Sequence, residues 1–262
     1  MDIELDARKS ARQNLSDKYA ELRKLKEKKA GLLTAMEQTK KEIGEAEKKE
    51  KTGEKTKEKT KSSSSKSKQP KKKTYWYEPY LTFVGSGGRR VVAGRNAKQN
   101  DELYAKHLSP ADLFFHADIQ GAPTVILKDG QKASEEEKRE AAQWAGAYSS
   151  AWKVGASAVD VFAVPPTQVS KHDGGGYVGP GSFVLTGERE WFRQMPLKLR
   201  IGNLDGQLAM LPAIHPQELE QAASLAPGPM PKEEAAKILS ARLGASVEEV
   251  APLLPGGKFV IQ

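Results

Sequence analysis

The chain has 262 residues, 38% of them hydrophobic, with a formal net charge of +8 and no cysteine. That composition supports one sizeable core with extensions outside it, and it excludes disulfides, thiolate nucleophiles and cysteine zinc sites. No run approaches the roughly 20 apolar residues of a spanning helix, and the acidic start Met1-Asp2-Ile3-Glu4 lacks the layout of a signal peptide, so a cytoplasmic protein without membrane contact is expected.

The positive charge is not spread evenly. Between Lys40 and Lys73 there are 14 Lys against 6 Glu, whereas Thr74 to Gln262 holds 19 basic against 21 acidic residues. Polyanion binding by the later part must therefore rest on particular basic residues gathered by the fold, not on bulk charge.

From about Ser10 to Ile43 the chain lacks proline and spaces Leu15, Tyr19, Leu22, Leu25, Leu32, Met36 and Ile43 by threes, fours and sevens. This predicts a long amphipathic helix over residues 1–44, either half of a coiled coil or a solvated charged helix. Residues 45–73 are almost devoid of apolar side chains, which predicts a disordered basic linker that acts as a spacer or adds sequence-independent phosphate affinity.

A globular pattern starts at Tyr75-Trp-Tyr77. Tyr80–Val84 and Arg90–Ala93 read as strands joined by a glycine-rich turn, and Asn96 reads as the cap of a helix to Leu108. Leu113–Ala117 and Pro123–Leu127 form a second expected hairpin. Ser134 with Glu137 makes a capping box for a helix to about Trp152, followed by strands at Ala158–Val164, Phe183–Leu185 and Leu197–Ile201. The fold class expected for 74–203 is α+β, a mixed and largely antiparallel sandwich. Residues 204–262 read as a small helical accessory subdomain, with a strand near Leu208, helices near Pro216–Ala223, Lys232–Leu243 and Val247–Leu254, and a last strand at Phe259–Ile261.

Three places could carry chemistry. The run Gly94-Arg-Asn-Ala-Lys-Gln-Asn-Asp101 leads a strand into a helix start, where Arg95 and Lys98 could hold a phosphate, or Arg95 could pair with a carboxylate. Strand alternation puts His116 and Asp118 on one face beside Gln120, a pair suited to a hydrolase acting on RNA or nucleotides, or to a purely structural hydrogen bond. Gln168-Val-Ser-Lys171 opens a glycine-rich loop in which Lys171 is either a phosphate contact or a solvated lysine.

These runs, in this order, resemble the RNA-binding (R) domain of the NFACT proteins, the family of bacterial and archaeal RqcH and the eukaryotic nuclear export mediator factor. The resemblance is carried by Tyr75-Trp-Tyr-Glu-Pro79, Val92-Ala-Gly-Arg-Asn-Ala-Lys-Gln-Asn-Asp-Glu102, His116-Ala-Asp-Ile-Gln-Gly-Ala122, Ala147-Tyr-Ser-Ser-Ala-Trp152, Gln168-Val-Ser-Lys171 and Gly181-Ser-Phe183, and the helix after Leu5-Asp-Ala-Arg-Lys-Ser10 looks like the start of the family's coiled coil. Two departures stand out: Asn96 where the family usually has Asp, and Asp160-Val-Phe-Ala-Val-Pro-Pro166 in place of a bulky aromatic run.

The resemblance implies a non-catalytic factor, without cofactor, that binds tRNA or large-subunit rRNA on large ribosomal subunits blocked by peptidyl-tRNA and helps recruit tRNA for messenger-free tailing. It implies RNA contacts from Arg95, Asn96, Lys98, Gln99, Asn100, His116, Asp118, Gln120, Gln168, Ser170 and Lys171. The family's N-terminal NFACT and helix-hairpin-helix domains would come from a longer chain or a separate partner. A coiled-coil scaffold without RNA contact is the remaining reading.

Overall fold

In the computed structural model the described residues are 75–173 and 176–262; the amphipathic helix and basic linker expected over 1–73 lie outside them. The described part belongs to one compact unit. Among its residues every strand pairing is antiparallel. The α+β expectation is met.

Both expected hairpins form. β1 (Leu81–Val84) pairs with β2 (Arg90–Ala93), and β3 (Leu113–Ala117) pairs with β4 (Val125–Leu127). Together with β5 (Ala158–Val164) and β10 (Glu190–Pro196) they build a six-stranded sheet in the order β1-β2-β4-β3-β5-β10. The strands alternate, so one face carries Phe83, Val91, Phe115, Val125, Val161 and Phe192, and the other carries Val92, Ile126, Phe114, Phe162 and Val164.

The first face is covered by α2 (Glu135–Ala147), opened by the Ser134–Glu137 capping box. Its Trp144 packs on Phe83 with ring centroids 4.7 Å apart. The helix does not run on to Trp152. Ser149 donates to the Gly146 carbonyl and accepts from Ala151 N, which ends α2 at Tyr148 and caps a separate short helix, α3 (Ser150–Lys153). A serine hydroxyl that competes for backbone groups is the physical reason.

The opposite face is covered by α1 (Ala97–Glu102), extended by a π turn through His107, and by the segment between β5 and β10. That segment holds two small pairings, β6 (Val169–Ser170) with β9 (Val184–Leu185) and β7 (His172–Asp173) with β8 (Gly176–Tyr177).

Beyond residue 198 the chain is more sheet than helix. β11 (Leu199–Leu204), β12 (Gln207–Pro212), β13 (Glu220–Met230) and β14 (Phe259–Ile261) form a second sheet in the order β12-β11-β13-β14, backed by α4 (Lys232–Leu243) and the short α5 (Val247–Val250). The helix expected at Pro216–Ala223 is absent: from Glu220 the chain is strand β13. Its Ala223 and Leu225 are buried at a period of two, and pairing with β11 overrides the helix propensity of Glu, Leu and Ala. The β11–β12 hairpin also spans the boundary expected at 203. Apolar residues of both sheets share one contiguous core.

The turn after α5 is tied back by three side chains. Arg95 donates to the Pro252 carbonyl, the Tyr148 hydroxyl to Leu253 O at 2.6 Å, and Lys232 to Leu254 O at 2.7 Å. These carbonyls end a helical stretch and would otherwise lack donors.

Gly228 sits where β13 crosses β14, and a Cβ there would lie 2.6 Å from backbone atoms of Phe259 and Val260. Those atoms cannot yield without breaking the pairing. We expect Gly228→Ala to cost about 1–3 kcal/mol of stability, read as a lowered thermal midpoint.

Candidate nucleic-acid interface

The corner between β2 and α1 is built as its sequence suggests, and most of its polar groups are hydrogen-bonded within the protein. Asn96 caps the helix by accepting from Gln99 N at 3.0 Å, and the Gln99 side chain accepts from Arg95 N and donates to Pro79 O. Asn100 is buried, its Oδ1 accepting from Thr124 N at 3.0 Å, so it joins α1 to the entry of β4. The Arg95 guanidinium donates to the carbonyls of Pro79, Tyr80 and Pro252, and the loss of water around it lowers its pKa. Arg95 has no carboxylate partner among the described residues and is held by main-chain carbonyls. Lys98 is exposed and without a partner among the described residues.

The loop bearing Gln168, Ser170 and Lys171 comes to this same helix at Asp101. The role of Lys171 differs from the expectation of a loop lysine open to phosphate. Its side chain is 4% exposed, pairs with Asp101, donates to Ser182 O at 2.7 Å and lies 4.4 Å from the centre of the Phe183 ring. Asp101 also accepts from Gly181 N at 3.0 Å. Gly181 has φ +74°, and a Cβ on it would meet Ala97 at 2.9 Å, so this loop reaches α1 only through a glycine. The Gln168 carboxamide nitrogen, oriented to satisfy both, reaches the carbonyls of Thr186 and Glu188 at 2.8 Å. Ser170 Oγ accepts from His172 N at 2.9 Å. These three residues brace the loop.

His116 lies on the face predicted, beside rings. In the antiparallel register His116 is opposite Phe162, and Phe162 is opposite Trp191, so three rings form a row across β3, β5 and β10. Centroid separations are 6.0 Å and 5.4 Å. Burial lowers the His116 pKa, with backbone hydrogen bonds to Ala117 and Ala122 and the Asp118 charge opposing, so the ring is neutral near pH 7. No hydrogen bond joins His116 to the exposed Asp118 among the described residues. Gln120 is exposed and uses its carbonyl to accept from Ser150 Oγ.

The residues missed from the sequence complete this row. Arg189-Glu-Trp-Phe-Arg193 leads into and along β10, placing Arg189, Trp191 and Arg193 on the ring face and Phe192 in the core. Arg189 lies 4.6 Å from the Phe162 ring centre and 5.7 Å from that of Trp191, with no carboxylate partner among the described residues. Arg193 stacks 3.9 Å over Trp191 and pairs with Asp160 at 2.7 Å. The alternation of Arg, Trp and Arg around a core Phe was the available signal. A register shift between Phe192 and Met195 and the positive φ of Gln194 hide it.

Rings and guanidinium planes on one open edge of a sheet define a class of surface that binds flat, anionic polymers such as nucleic acids. Residues 73–187, a little under half of the chain, match the NFACT protein RNA binding domain. Strand β10 completes the sheet just past the matched span.

Over 140 residues the chain is 40% identical to the archaeal Rqc2 homolog aRqcH of Methanocaldococcus jannaschii, covering 53% of this chain and 21% of the relative. Over 128 residues it is 34% identical to the human ribosome quality control complex subunit NEMF, covering 47% and 12%. The solved C-terminal part of the fibronectin/fibrinogen-binding protein from Streptococcus suis is similar over 45% of this chain and 46% of that one, at TM-score 0.39 and 27% identity. The match therefore spans only a small part of these curated relatives.

Two outcomes follow from the geometry. Lys171→Ala leaves Asp101 without its cation, and because the Asp101 side chain is 30% exposed the loss should stay below that of a fully buried pair, about 2–3 kcal/mol. Low-salt RNA affinity should change little in the folded fraction. The second outcome concerns pH. Because the folded pKa of His116 lies below its ordinary 6.5, the unfolded chain takes up a proton that the folded chain refuses. Stability is unaffected above that value and falls as pH drops through it, until the folded pKa is reached. His107 shifts in the same direction, also through burial. The thermal midpoint should decline as pH falls through the ordinary histidine range, and His116→Phe should flatten that decline.

Proposed function

We propose that this chain is a non-catalytic RNA-binding component of ribosome-associated quality control. It engages tRNA or large-subunit rRNA on large subunits obstructed by peptidyl-tRNA and supports the recruitment of tRNA for messenger-free extension of the nascent chain. The observation that carries this reading is the match of residues 73–187 to the NFACT protein RNA binding domain, beside the similarity to an archaeal Rqc2 homolog and a human ribosome quality control complex subunit. The cytoplasm is the expected site of action.

The charge distribution supports a division of labour. The excess of lysine lies between Lys40 and Lys73, while the matched domain after it is close to neutral. Lysines of the linker would then supply salt-dependent affinity, and the folded domain selectivity. The NFACT-N and helix-hairpin-helix domains, on a longer chain or a separate partner, would add the remaining ribosome contacts.

Two other readings have less behind them. A hydrolase centred on His116 and Asp118 needs the two groups coupled, whereas His116 is packed among rings and hydrogen-bonded to backbone. A scaffold without RNA contact leaves Arg189 stacked in the open with no role.

The test is a salt titration of tRNA and rRNA-fragment binding by the whole chain, beside co-sedimentation with large subunits. Affinity should fall steeply with salt, and deletion of residues 45–73 should reduce the slope by about 0.7–0.9 for each phosphate that is no longer neutralised. Absence of any salt-dependent binding, or turnover of the RNA, would overturn the proposal.

A further inference from the structure

We infer that Trp191, with Arg189 and Arg193 against it and the buried Phe162 behind it, is a site for an unpaired nucleobase of single-stranded RNA. The inference rests on the RNA-binding reading above and states which form of RNA the folded domain selects.

The first argument is the state of the two arginines. Arg193 is already neutralised by Asp160 at 2.7 Å, so as a cation it offers a phosphate little. As a plane it is fully formed: it lies 3.9 Å over the Trp191 ring, and its side chain keeps 59% of its exposure. A salt bridge that holds a guanidinium over an indole builds a platform for stacking, since the exposed side chain can meet a second flat group. Arg189 is the complement. It lies over Phe162 at 4.6 Å and has no carboxylate partner among the described residues, so it can stack on one side while its N–H edge meets a phosphate or a base carbonyl.

The second argument is spacing. The rings occupy adjacent strands in direct register, and neighbouring strands lie about 4.8 Å apart. His116 and the buried Phe162 fix Trp191 and the two guanidinium groups at the sheet edge, and these present flat groups that one splayed base and its neighbours can follow. A paired duplex cannot use them, because its base faces are covered by neighbouring pairs and only edges and backbone are offered.

The third argument is the limit of the cover. Phe114, two residues before His116 on β3, is buried beneath Tyr104 and Phe183, and Phe162 is buried under Arg189, whereas Trp191 stays half-buried. The fold closes the apolar part of this face and leaves Trp191 and the two arginines accessible.

The test uses the whole chain with a fluorescein-labelled 12-nucleotide single strand and, separately, the same sequence annealed to its complement, at one low salt concentration. Trp191→Ala should weaken single-strand binding by roughly fivefold to a hundredfold, the range for losing one base stack, and leave duplex binding and the salt slope unchanged. Trp191→Phe, which keeps a ring, should retain most of the affinity. Arg189→Lys, which keeps charge and loses the plane, should behave like the alanine variant. Thermal midpoints are measured for each; if Trp191→Ala does not fold, the Phe and Lys variants decide the matter.

Equal losses on single strand and duplex, or wild-type affinity in Arg189→Lys, would overturn the inference while leaving RNA binding intact. Intact binding to short RNA with loss of large-subunit association would also overturn it, assigning the row to a protein partner. A wild-type chain that binds neither RNA would sink the RNA-binding reading itself.

Discussion

A six-stranded sheet has two apolar faces, and among the described residues one long helix packs on it. α2 takes the first face. The second must be closed by a helix of six residues with its π turn and by an irregular segment, and such a segment carries backbone polar groups that need partners. The Lys171–Asp101 pair answers that need. It seats the loop on the helix, and Lys171 and Asp101 each satisfy main-chain groups besides their partner. Where this cover stops, Trp191 of β10 comes part-way to the surface between Arg189 and Arg193.

The same economy governs charge in the folded part. Arg89 pairs with buried Glu137, Lys128 with buried Asp112, and Lys138 with Glu135 and Glu190. Arg95, Arg200 and Arg242 donate to backbone carbonyls. A basic residue used this way fixes a loop or a sheet edge and is withdrawn from long-range attraction of a polyanion. What recognition the domain offers must come from the few groups left over, and shape and stacking then weigh more than net charge.

The elements legible in the sequence were those set by local rules. Asn96 and Ser134 announce their helices, the alternation around Phe114–Ala117 assigns both faces of β3, and the glycines at 85–88 announce a hairpin. The elements missed are set by distant partners. β13 reads as helix because Glu, Leu and Ala favour one, and only β11 and β14 on either side make it a strand. Of the candidate site, the sequence located the loop and the helix that meet, but not that Lys171 would be consumed in joining them. Burial of a lysine depends on an aspartate 70 positions earlier and a cover contributed by Phe183, which no window along the chain reveals.

The three carbonyls after α5 bear on how the molecule comes into being. Pro252, Leu253 and Leu254 are held by Arg95, Tyr148 and Lys232, and the Trp152 indole reaches Lys258 O at 3.0 Å. Synthesis is vectorial, and every one of these donors emerges well before its acceptor. A nascent chain with the first sheet and α2 assembled still has Arg95, Tyr148 and Trp152 without acceptors, with apolar surface open where the second sheet belongs. Completion waits for the segment through Lys258 to leave the exit tunnel, so the late part acts as a latch on the early part. Pairings of such long sequence separation make for slow closure, and in that interval the half-built protein is itself a client of whatever guards emerging chains.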